Sequence, residues 1–237
     1  MAFTLLLAAC SAGGAAAAID LDTTTALPAP ALPAAGTTAT RPIAPPTSTG
    51  TTRALPSDKD PDCLSRARFG DPADSLYVLP YPVGRAYYLT QSYCAVGTGH
   101  HDQLAYDWYM PIGSELVAAR GGWVRQTRES NPDNGLGALA ENFIYIEHAD
   151  GSIAFYAHLM QGGVDVEVGQ WVDQGEHLGF SGNSGRTRMP HLHFGVYRDW
   201  PQDEETGIGV NFRNTDGELD GLGGLLLNRL YQALPWE

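Results

Sequence analysis

The sequence predicts a mainly β protein whose ordered part is a two-sheet antiparallel domain of the barrel-sandwich kind. The 237 residues include 28 glycines and 16 prolines, and only 17% are charged, against roughly 25% in an average soluble domain. From about residue 62 onward, short runs of aromatic and β-branched residues alternate with Gly, Asp and Asn. Strands this short, at this spacing, are typical of sandwiches and barrels.

The charge balance argues against two classes of partner. Lys and Arg total 14 against 27 Asp and Glu, which gives a formal net charge of -13. Nucleic-acid binders normally carry a basic face that neutralises phosphates, and docking on anionic lipid needs a polybasic patch. We therefore expect no nucleic acid partner.

The first nine residues are typical of an export signal. Residues 3–9 form an apolar run that stops at Cys10 and is too short for a membrane helix. The tetrapeptide LAAC matches the bacterial lipobox, whose cysteine is lipidated. We expect residues 1–9 to be a signal segment and Cys10 to carry a lipid anchor to a membrane. Ser11 resembles the sorting residue of Gram-negative lipoproteins, which implies an exported lipoprotein on the outer membrane facing the periplasm.

Residues 10–60 are expected to form a disordered tether. The segment consists largely of Ala, Thr, Pro, Ser and Gly, and no aromatic residue occurs between Phe3 and Phe69. Such a stretch buries too little apolar surface to offset its ordering entropy. At roughly 3 Å per residue, some 45 residues of this kind reach about 140 Å when fully extended.

Residues 61–237 form the predicted domain. Each run that we expect to be a strand is short and bounded by turn residues. In chain order the runs are LYVLPY (76–81), AYYLTQSY (86–93), LAYDW (104–108), ELVAA (115–119), GWVRQTR (122–128), NFIYIEH (142–148), SIAFYAHL (152–159), QWVDQ (170–174), HLHFGVYR (191–198) and VNFRN (210–214). The leucine-rich segment 221–234 predicts a short C-terminal helix.

One hairpin is predicted in detail. The dipeptide DG at 150–151, between two of these runs, favours a two-residue turn with positive φ. In that register Ile146 faces Phe155. Strand alternation then places His148 on the same face as Phe155 and places His158 on the opposite face. We expect His148 to be a packed structural histidine.

The two cysteines of the domain, Cys63 and Cys94, are predicted to form a disulfide. An exported protein meets an oxidising compartment, where leftover cysteines usually pair. Two buried thiols are the alternative. Their spacing is not a CxxC, which argues against metal binding.

The histidines point to metal chemistry. In PHLHF, His191 and His193 stand at i and i+2 of a predicted strand, so both imidazoles face one side. Three ligands of the His/His/Asp type leave one position of a tetrahedral Zn²⁺ open, which is the layout of a catalytic site. Two further histidines nearby can move protons and stabilise an oxyanion. The other candidates are His100 or His101, Asp107 and His158.

The domain resembles the M23 (lysostaphin/LytM-type) metallopeptidases of peptidoglycan over residues 79–198. Five blocks occur in the family's order with similar gaps, and together they are highly specific. They are LPYPVGRAYYLTQSY, HHDQLAYDWYMPIGSELVAARGGWV, YIEHADGSIAFYAHL, VEVGQWVDQGEHLGFSGNSG and PHLHFGVYR.

The resemblance implies a role for each candidate. Asp107 and His193 match the second and third zinc ligands, and His158 and His191 match the acid–base and oxyanion-stabilising pair. The first ligand is His100 or His101. His100 is favoured, because family members with a longer spacer carry a small or polar residue two positions after the ligand, as Asp102 stands here.

The function that the resemblance implies is zinc-dependent hydrolysis of peptide cross-links in bacterial peptidoglycan, with peptidoglycan peptides as partners and a monomeric enzyme. The alternative is a catalytically silent M23-like module that activates a cell-wall amidase. Such silent relatives typically lack zinc ligands, whereas every ligand has a candidate here.

Two features fall outside this pattern. The segment NSGRTRMPHLHF carries Arg and Met where the family usually has small residues before the proline, which affects the fit of a substrate at that rim. His177 lies in the block GQWVDQGEHLGFSG, a hairpin-like segment that we interpret as scaffold. We expect His177 to be an exposed surface residue.

Overall fold

The computed structural model describes residues 58–137, 140–199 and 204–236. This part holds one α-helix, α1 (Pro61–Arg66), three short 3-10 helices and twelve strands. The strands are β1 (Ala86–Gln91), β2 (Ala105–Tyr109), β3 (Glu115–Val117), β4 (Gly122–Arg128), β5 (Phe143–Glu147), β6 (Ile153–Ala157), β7 (Leu159–Val164), β8 (Trp171–Val172), β9 (His177–Ser181), β10 (His191–Tyr197), β11 (Gly207–Ile208) and β12 (Leu230–Gln232). The predicted signal segment, Cys10 and residues 10–57 of the tether lie outside the described residues. No helix in the described ranges has both the length and the apolarity needed to cross a membrane.

The strands form two antiparallel sheets. Nine belong to one sheet in the order β12-β1-β2-β10-β6-β5-β4-β8, with β11 paired to β10, and the others form a sheet in the order β3-β9-β7. All the strand pairs are antiparallel. The predicted mainly β, two-sheet class is confirmed.

Two predicted strands are wrong. Residues 76–81 and 210–214 are irregular segments that lie against each other: Arg213 donates its backbone N–H to the Tyr77 carbonyl at 3.0 Å, and the Asn214 side chain accepts from the Leu79 backbone at 2.7 Å. The Asn214 side chain thus accepts the hydrogen bond that a backbone carbonyl of a neighbouring strand would accept in a sheet. Pro80 also lacks the N–H that a continuing ladder would need.

The predicted hairpin has the wrong register by one residue. Residues 149–151 form a three-residue loop, closed by a 2.8 Å bond from the His148 N–H to the Ser152 carbonyl, with Gly151 at φ 83. Ile146 therefore faces Ala154. A one-residue slip exchanges the faces of one strand, so Phe155 packs with Phe143 and Tyr145, on the face opposite Ile146.

The predicted C-terminal helix is also wrong. Within 221–234 the structure has turns and β12, with Gly223 at φ 92 and Asn228 at φ 58. The Asp220 carboxylate accepts from two backbone N–H groups of this segment, at Leu222 and Gly224. Such side-chain bonds compete with helix formation.

The large sheet has two different faces. Its inner face packs on the main core, which is rich in aromatic side chains. Alternation along β10 and its neighbours sends the other side chains to the outer face, where a smaller aromatic cluster lies. Fully buried aromatic residues of the main core include Trp108, Tyr106, Tyr156, Phe194 and Phe212.

The start of the folded part is fixed to the domain. Cys63 in α1 is disulfide-bonded to Cys94, which confirms the predicted pair in this structure. Lys59 is buried and donates to the Tyr93 carbonyl at 2.7 Å. Residues 58–60, which the sequence assigns to the end of the tether, are therefore part of the fold.

Candidate metal centre

Two neighbouring strands place Asp107 and His193 side by side. In the antiparallel pair β2–β10, His193 lies directly opposite Asp107, and their flanking residues Trp108 and Leu192 face the main core. Residues directly opposite in an antiparallel pair share a face and are close enough to interact. His193 Nδ1 lies 3.0 Å from Asp107 Oδ1.

The connection between β1 and β2 brings in a second histidine. His100 Nε2 lies 3.1 Å from Asp107 Oδ1 and 3.1 Å from His193 Nδ1. One ligand-type atom from each of the three residues lies within 4.8 Å of the others, and all three residues are buried. His101, the sequence alternative, is exposed and outside this cluster.

The donor set fits a cation. If both imidazole nitrogens donate protons to the same oxygen of Asp107, they also face each other as two donors at 3.1 Å. A metal ion at the centre of the three atoms removes this conflict, because each atom then offers a lone pair. Zinc takes two nitrogens and one oxygen at about 2 Å each, which requires ligand atoms somewhat more than 3 Å apart.

Gln91 supports the cluster and was not singled out from the sequence. It lies on β1 opposite Asp107 and donates from Nε2 to Asp107 Oδ2. Its Oε1 accepts from the Gly99 backbone at 3.1 Å, which also anchors the turn that carries His100. One amide therefore orients two of the clustered residues. The signal lay in the block LPYPVGRAYYLTQSY, but nothing in the spacing marks a glutamine.

The other two candidate histidines are oriented by residues 183–189, here called the 183–189 loop. His158 Nδ1 lies 2.8 Å from the Ser184 carbonyl, and His191 Nδ1 lies 2.9 Å from the Met189 carbonyl. A carbonyl only accepts, so Nδ1 carries a proton in each ring, and Nε2 is the nitrogen that the loop does not bind. Thr187 Oγ1 also contacts His191 Nδ1, at 3.1 Å.

His158 stands in a strained position. The sequence predicts that it continues a strand, but its φ is 62 and β6 ends before it. A positive φ is uncommon for a residue with a side chain and is maintained only by its surroundings. The turn carries the His158 ring to within 4.4 Å of the His191 ring, centroid to centroid.

Burial and neighbouring charges set the protonation of this group. Burial, with the nearby His191 and His193, lowers the pKa of His158 to about 3. Burial alone would raise the pKa of Asp107, but its interactions with His100 and His193 and the charge of His191 hold that pKa well below the usual range. Burial also lowers the pKa of His193. Asp107 is thus ionised and His158 and His193 are neutral at pH 7, as metal ligation and proton acceptance require.

All five residues line one open cleft of about 720 Å³ on the outer face of the large sheet. Phe155 and Tyr197, from the smaller aromatic cluster, line one part of it. Arg186, Arg188 and Met189 of the 183–189 loop line another. The cleft therefore joins the five residues to an aromatic side and to a side that carries two arginines.

Three histidines do not line the cleft: His101, which is exposed, His148 and His177. His148 is buried and its Nδ1 lies 3.0 Å from the Gly121 carbonyl. His177 is partly exposed between Glu115 and Asp165, at 3.1 and 2.8 Å. The structure thus separates the five clustered side chains, four histidines and Asp107, from the other three histidines.

Residues 101–205 match the family model for Peptidase family M23. Two curated relatives are similar over part of the chain. Peptidoglycan DD-endopeptidase ShyA of Vibrio cholerae is 36% identical over 88 residues, which are 37% of this chain and 18% of ShyA. Cell division protein DipM of Caulobacter vibrioides is 30% identical over 106 residues, which are 45% of this chain and 16% of DipM.

Among solved structures, a zinc-containing peptidase from Vibrio cholerae is 27% identical, covers 55% of this chain and 40% of its own, and has a TM-score of 0.41. The chain spans less than a fifth of the length of either curated relative. Over residues 101–205 the chain is therefore similar to Peptidase family M23.

Proposed function

We propose that the chain is a zinc-dependent endopeptidase that hydrolyses peptide cross-links of bacterial peptidoglycan. The observation that carries this proposal is the convergence of His100, Asp107 and His193 at a cleft where two further histidines lie within reach. The similarity to ShyA, a peptidoglycan DD-endopeptidase, supports the substrate class.

Three atoms would hold the zinc: His100 Nε2, Asp107 Oδ1 and His193 Nδ1. A zinc ion in such a site lowers the pKa of water from 15.7 to about 7 and polarises a carbonyl. The protein contributes the orientation of the ligands, since Gln91 fixes Asp107 from the side away from the cluster.

His158 and His191 would divide the proton transfers and the stabilisation of the oxyanion. Each has its Nδ1–H committed to a backbone carbonyl, so each offers Nε2 to the substrate or to water. Peptide hydrolysis needs such groups, because the leaving amine must gain a proton and the developing oxyanion needs a donor.

The test combines zinc content with release of peptides from cell-wall sacculi, using the full chain. His193→Ala should abolish both. His191→Ala should keep the zinc and lose at least 100-fold in rate, because a positioned acid or base contributes roughly that factor. His177→Gln, outside the cleft, is the matched control and should change neither. A correctly folded parent protein that binds no zinc and releases no peptide would contradict the proposal.

A second candidate function is a catalytically silent module that activates a cell-wall amidase. The similarity to DipM, a cell division protein, is the observation that favours it. This candidate requires that sacculi remain uncut by the chain alone and that addition of the chain accelerates a purified amidase. His193→Ala should then leave the acceleration unchanged.

We further propose that the chain is an exported, monomeric lipoprotein of the outer membrane that faces the periplasm, anchored at Cys10 through the tether. Cys10 and residues 10–57 of the tether lie outside the described residues, so this proposal rests on the sequence. Cys10→Ser should move the protein from the membrane fraction to the soluble periplasmic fraction. A variant that remains in the membrane fraction would show that Cys10 is not the anchor.

A further inference from the structure

Two arginines of the 183–189 loop have no role in the chemistry described above. Arg186 and Arg188 are exposed and line the same cleft as the histidine cluster. Within residues 58–137, 140–199 and 204–236, neither guanidinium has an ion pair or hydrogen bond. The chain as a whole is acidic, with 27 acidic and 14 basic residues. Two unpaired cations close together at the cleft therefore give this loop a charge opposite to that of the chain.

The backbone between these arginines is held firmly. Thr187, between them, is buried and donates from Oγ1 to the Met189 carbonyl at 2.7 Å, while the Met189 N–H returns a bond of 3.3 Å. Gly185 has φ 80, and a Cβ there would lie 2.8 Å from Glu141 Cα. The loop therefore presents both guanidinium groups from a fixed base, which lowers the entropy cost of ligand binding.

Other charges at the cleft leave room for an anion. Among the residues that the structure describes, the acidic ones that line the cleft are Asp107 and Glu141. Asp107 is buried, and both of its oxygens are engaged within the cluster, Oδ1 by His100 and His193 and Oδ2 by Gln91. The planar guanidinium favours carboxylates, which it binds through two parallel hydrogen bonds.

We propose that Arg186 and Arg188 bind a free carboxylate of the substrate beside the scissile amide. Arg188 stands three residues before His191, and both line the cleft, which is why we place the carboxylate near the scissile amide. The cleft would therefore prefer cross-links made by a diamino dicarboxylic acid, whose second carboxylate lies next to the amide, over glycine bridges, which have none. This inference rests on the proposed endopeptidase function.

The test uses two cross-linked peptides that differ only in a carboxylate or a carboxamide beside the scissile bond. The ratio of their kcat/KM values is measured for the parent, Arg186→Gln, Arg188→Gln and the double variant. Exposed ion pairs change binding by up to about fivefold each, so each single variant should lower the carboxylate preference by about that factor. Arg85→Gln, which removes an exposed charge outside the cleft, should leave the ratio unchanged.

A binding measurement keeps this inference separate from the proposed function. Calorimetry of the same two peptides with the full chain should show tighter binding of the carboxylate form, with the difference lost in the double variant and reduced by salt. A parent protein that cleaves neither peptide would contradict the endopeptidase, and calorimetry alone would then decide the inference. Equal binding of both peptides, or a preference that survives in the double variant, would overturn it.

Discussion

Asp107 receives contacts from four side chains, and these contacts divide between its two oxygens. Oδ1 faces His100 and His193, while Oδ2 accepts from Gln91 and lies 3.5 Å from His191 Nε2. A carboxylate held from both sides cannot rotate. Gln91 therefore helps to orient a side chain that the proposed zinc site requires.

Gln91→Leu should weaken zinc binding about 10- to 100-fold, as loss of such an outer hydrogen bond usually does. The reason is that Asp107 and the turn at Gly99 lose their shared anchor. Competition with a chromophoric chelator measures the affinity. The matched control is Gln126→Leu, an exposed position on β4, which should bind zinc like the parent. An unchanged affinity in Gln91→Leu would show that the ligands hold their own orientation.

His148 illustrates a histidine whose role is structural. Burial lowers the pKa of His148 to about 4, well below the value of 6.5 for an exposed histidine. The unfolded chain therefore binds a proton here more readily than the folded one between these two pH values. The stability contribution of a neutral His148 is present above pH 6.5 and is lost as the pH falls through 4.

In His148→Gln the free energy of unfolding should fall less steeply than in the parent as the pH is lowered from 7 to 4. Over this window the parent loses up to about 3 kcal/mol through His148, and the variant lacks that part while being less stable at pH 7. Urea unfolding at pH 4 to 7 measures both.

His177→Gln is a control of opposite sign. Burial would lower the pKa of His177, but its hydrogen bonds to Asp165 and Glu115 raise it. Its contribution is therefore present below pH 6.5, is lost as the pH rises through the raised pKa, and stays below about 1 kcal/mol at this exposed site. If the free energy of unfolding of the parent and of His148→Gln fell in parallel between pH 7 and pH 4, the structural role assigned to His148 would be contradicted.

At the scale of elements, the small sheet holds the backbone at His158 and at the start of the 183–189 loop. β7 and β9 flank His158 and the 183–189 loop in sequence, and Leu159 pairs with Ser181 across them. Gly182 then donates its N–H to the His158 carbonyl at 2.9 Å. The strained turn at His158 is therefore fixed by the pairing of two strands.

Gly179→Ala should destabilise the domain by about 2 kcal/mol or more, as strained backbone and a steric collision in a core usually do. Gly179 has φ 142, and a Cβ there would collide with the Gly163 carbonyl of β7. Guanidinium unfolding measures the free energy. Gly70→Ala is the control, because no atom lies within 4 Å of its Cβ position, and it should be neutral within about 0.5 kcal/mol. Equal stability of the two variants would show that β7 and β9 can move apart freely.

At the scale of the whole domain, α1 is attached to the segment that carries His100. The Cys63–Cys94 disulfide joins the helix to the start of that segment. Arg66 in the same helix pairs with Asp102, two residues beyond His100. Both attachments span more than 30 residues of chain, so they hold the β1–β2 connection in place from outside the sheet.

Replacing both Cys63 and Cys94 by Ala should lower the free energy of unfolding by about 3–4 kcal/mol, the loop-entropy value for a separation of 31 residues. Zinc affinity should fall as well, because His100 loses part of its support. Ser65→Ala, on the exposed side of α1, is the control and should keep both properties. A double variant with the stability of the parent would mean that packing alone holds α1.

Local rules predicted much of the fold correctly. The alternation of β10 placed His191 and His193 on one face because side chains repeat every two residues. The predicted register of the hairpin was wrong by one residue. In the structure Tyr145 lies opposite Phe155 and their rings stack, and this pairing requires a loop of three residues. The helix predicted from the C-terminal leucines was wrong because Tyr231 pairs with Tyr87 of β1, a partner far away in sequence.

The sequence by itself determined the kinds of residue that make up the site, their order, the β class and the cysteine pair, because these depend on composition, period and chemistry. Only the tertiary structure decided that His100, and not His101, lies with Asp107 and His193, that Gln91 supports them, and that two arginines share their cleft. These relations join residues on different strands and loops. Their distances follow from how the sheets and connections pack, which no local pattern in the chain encodes.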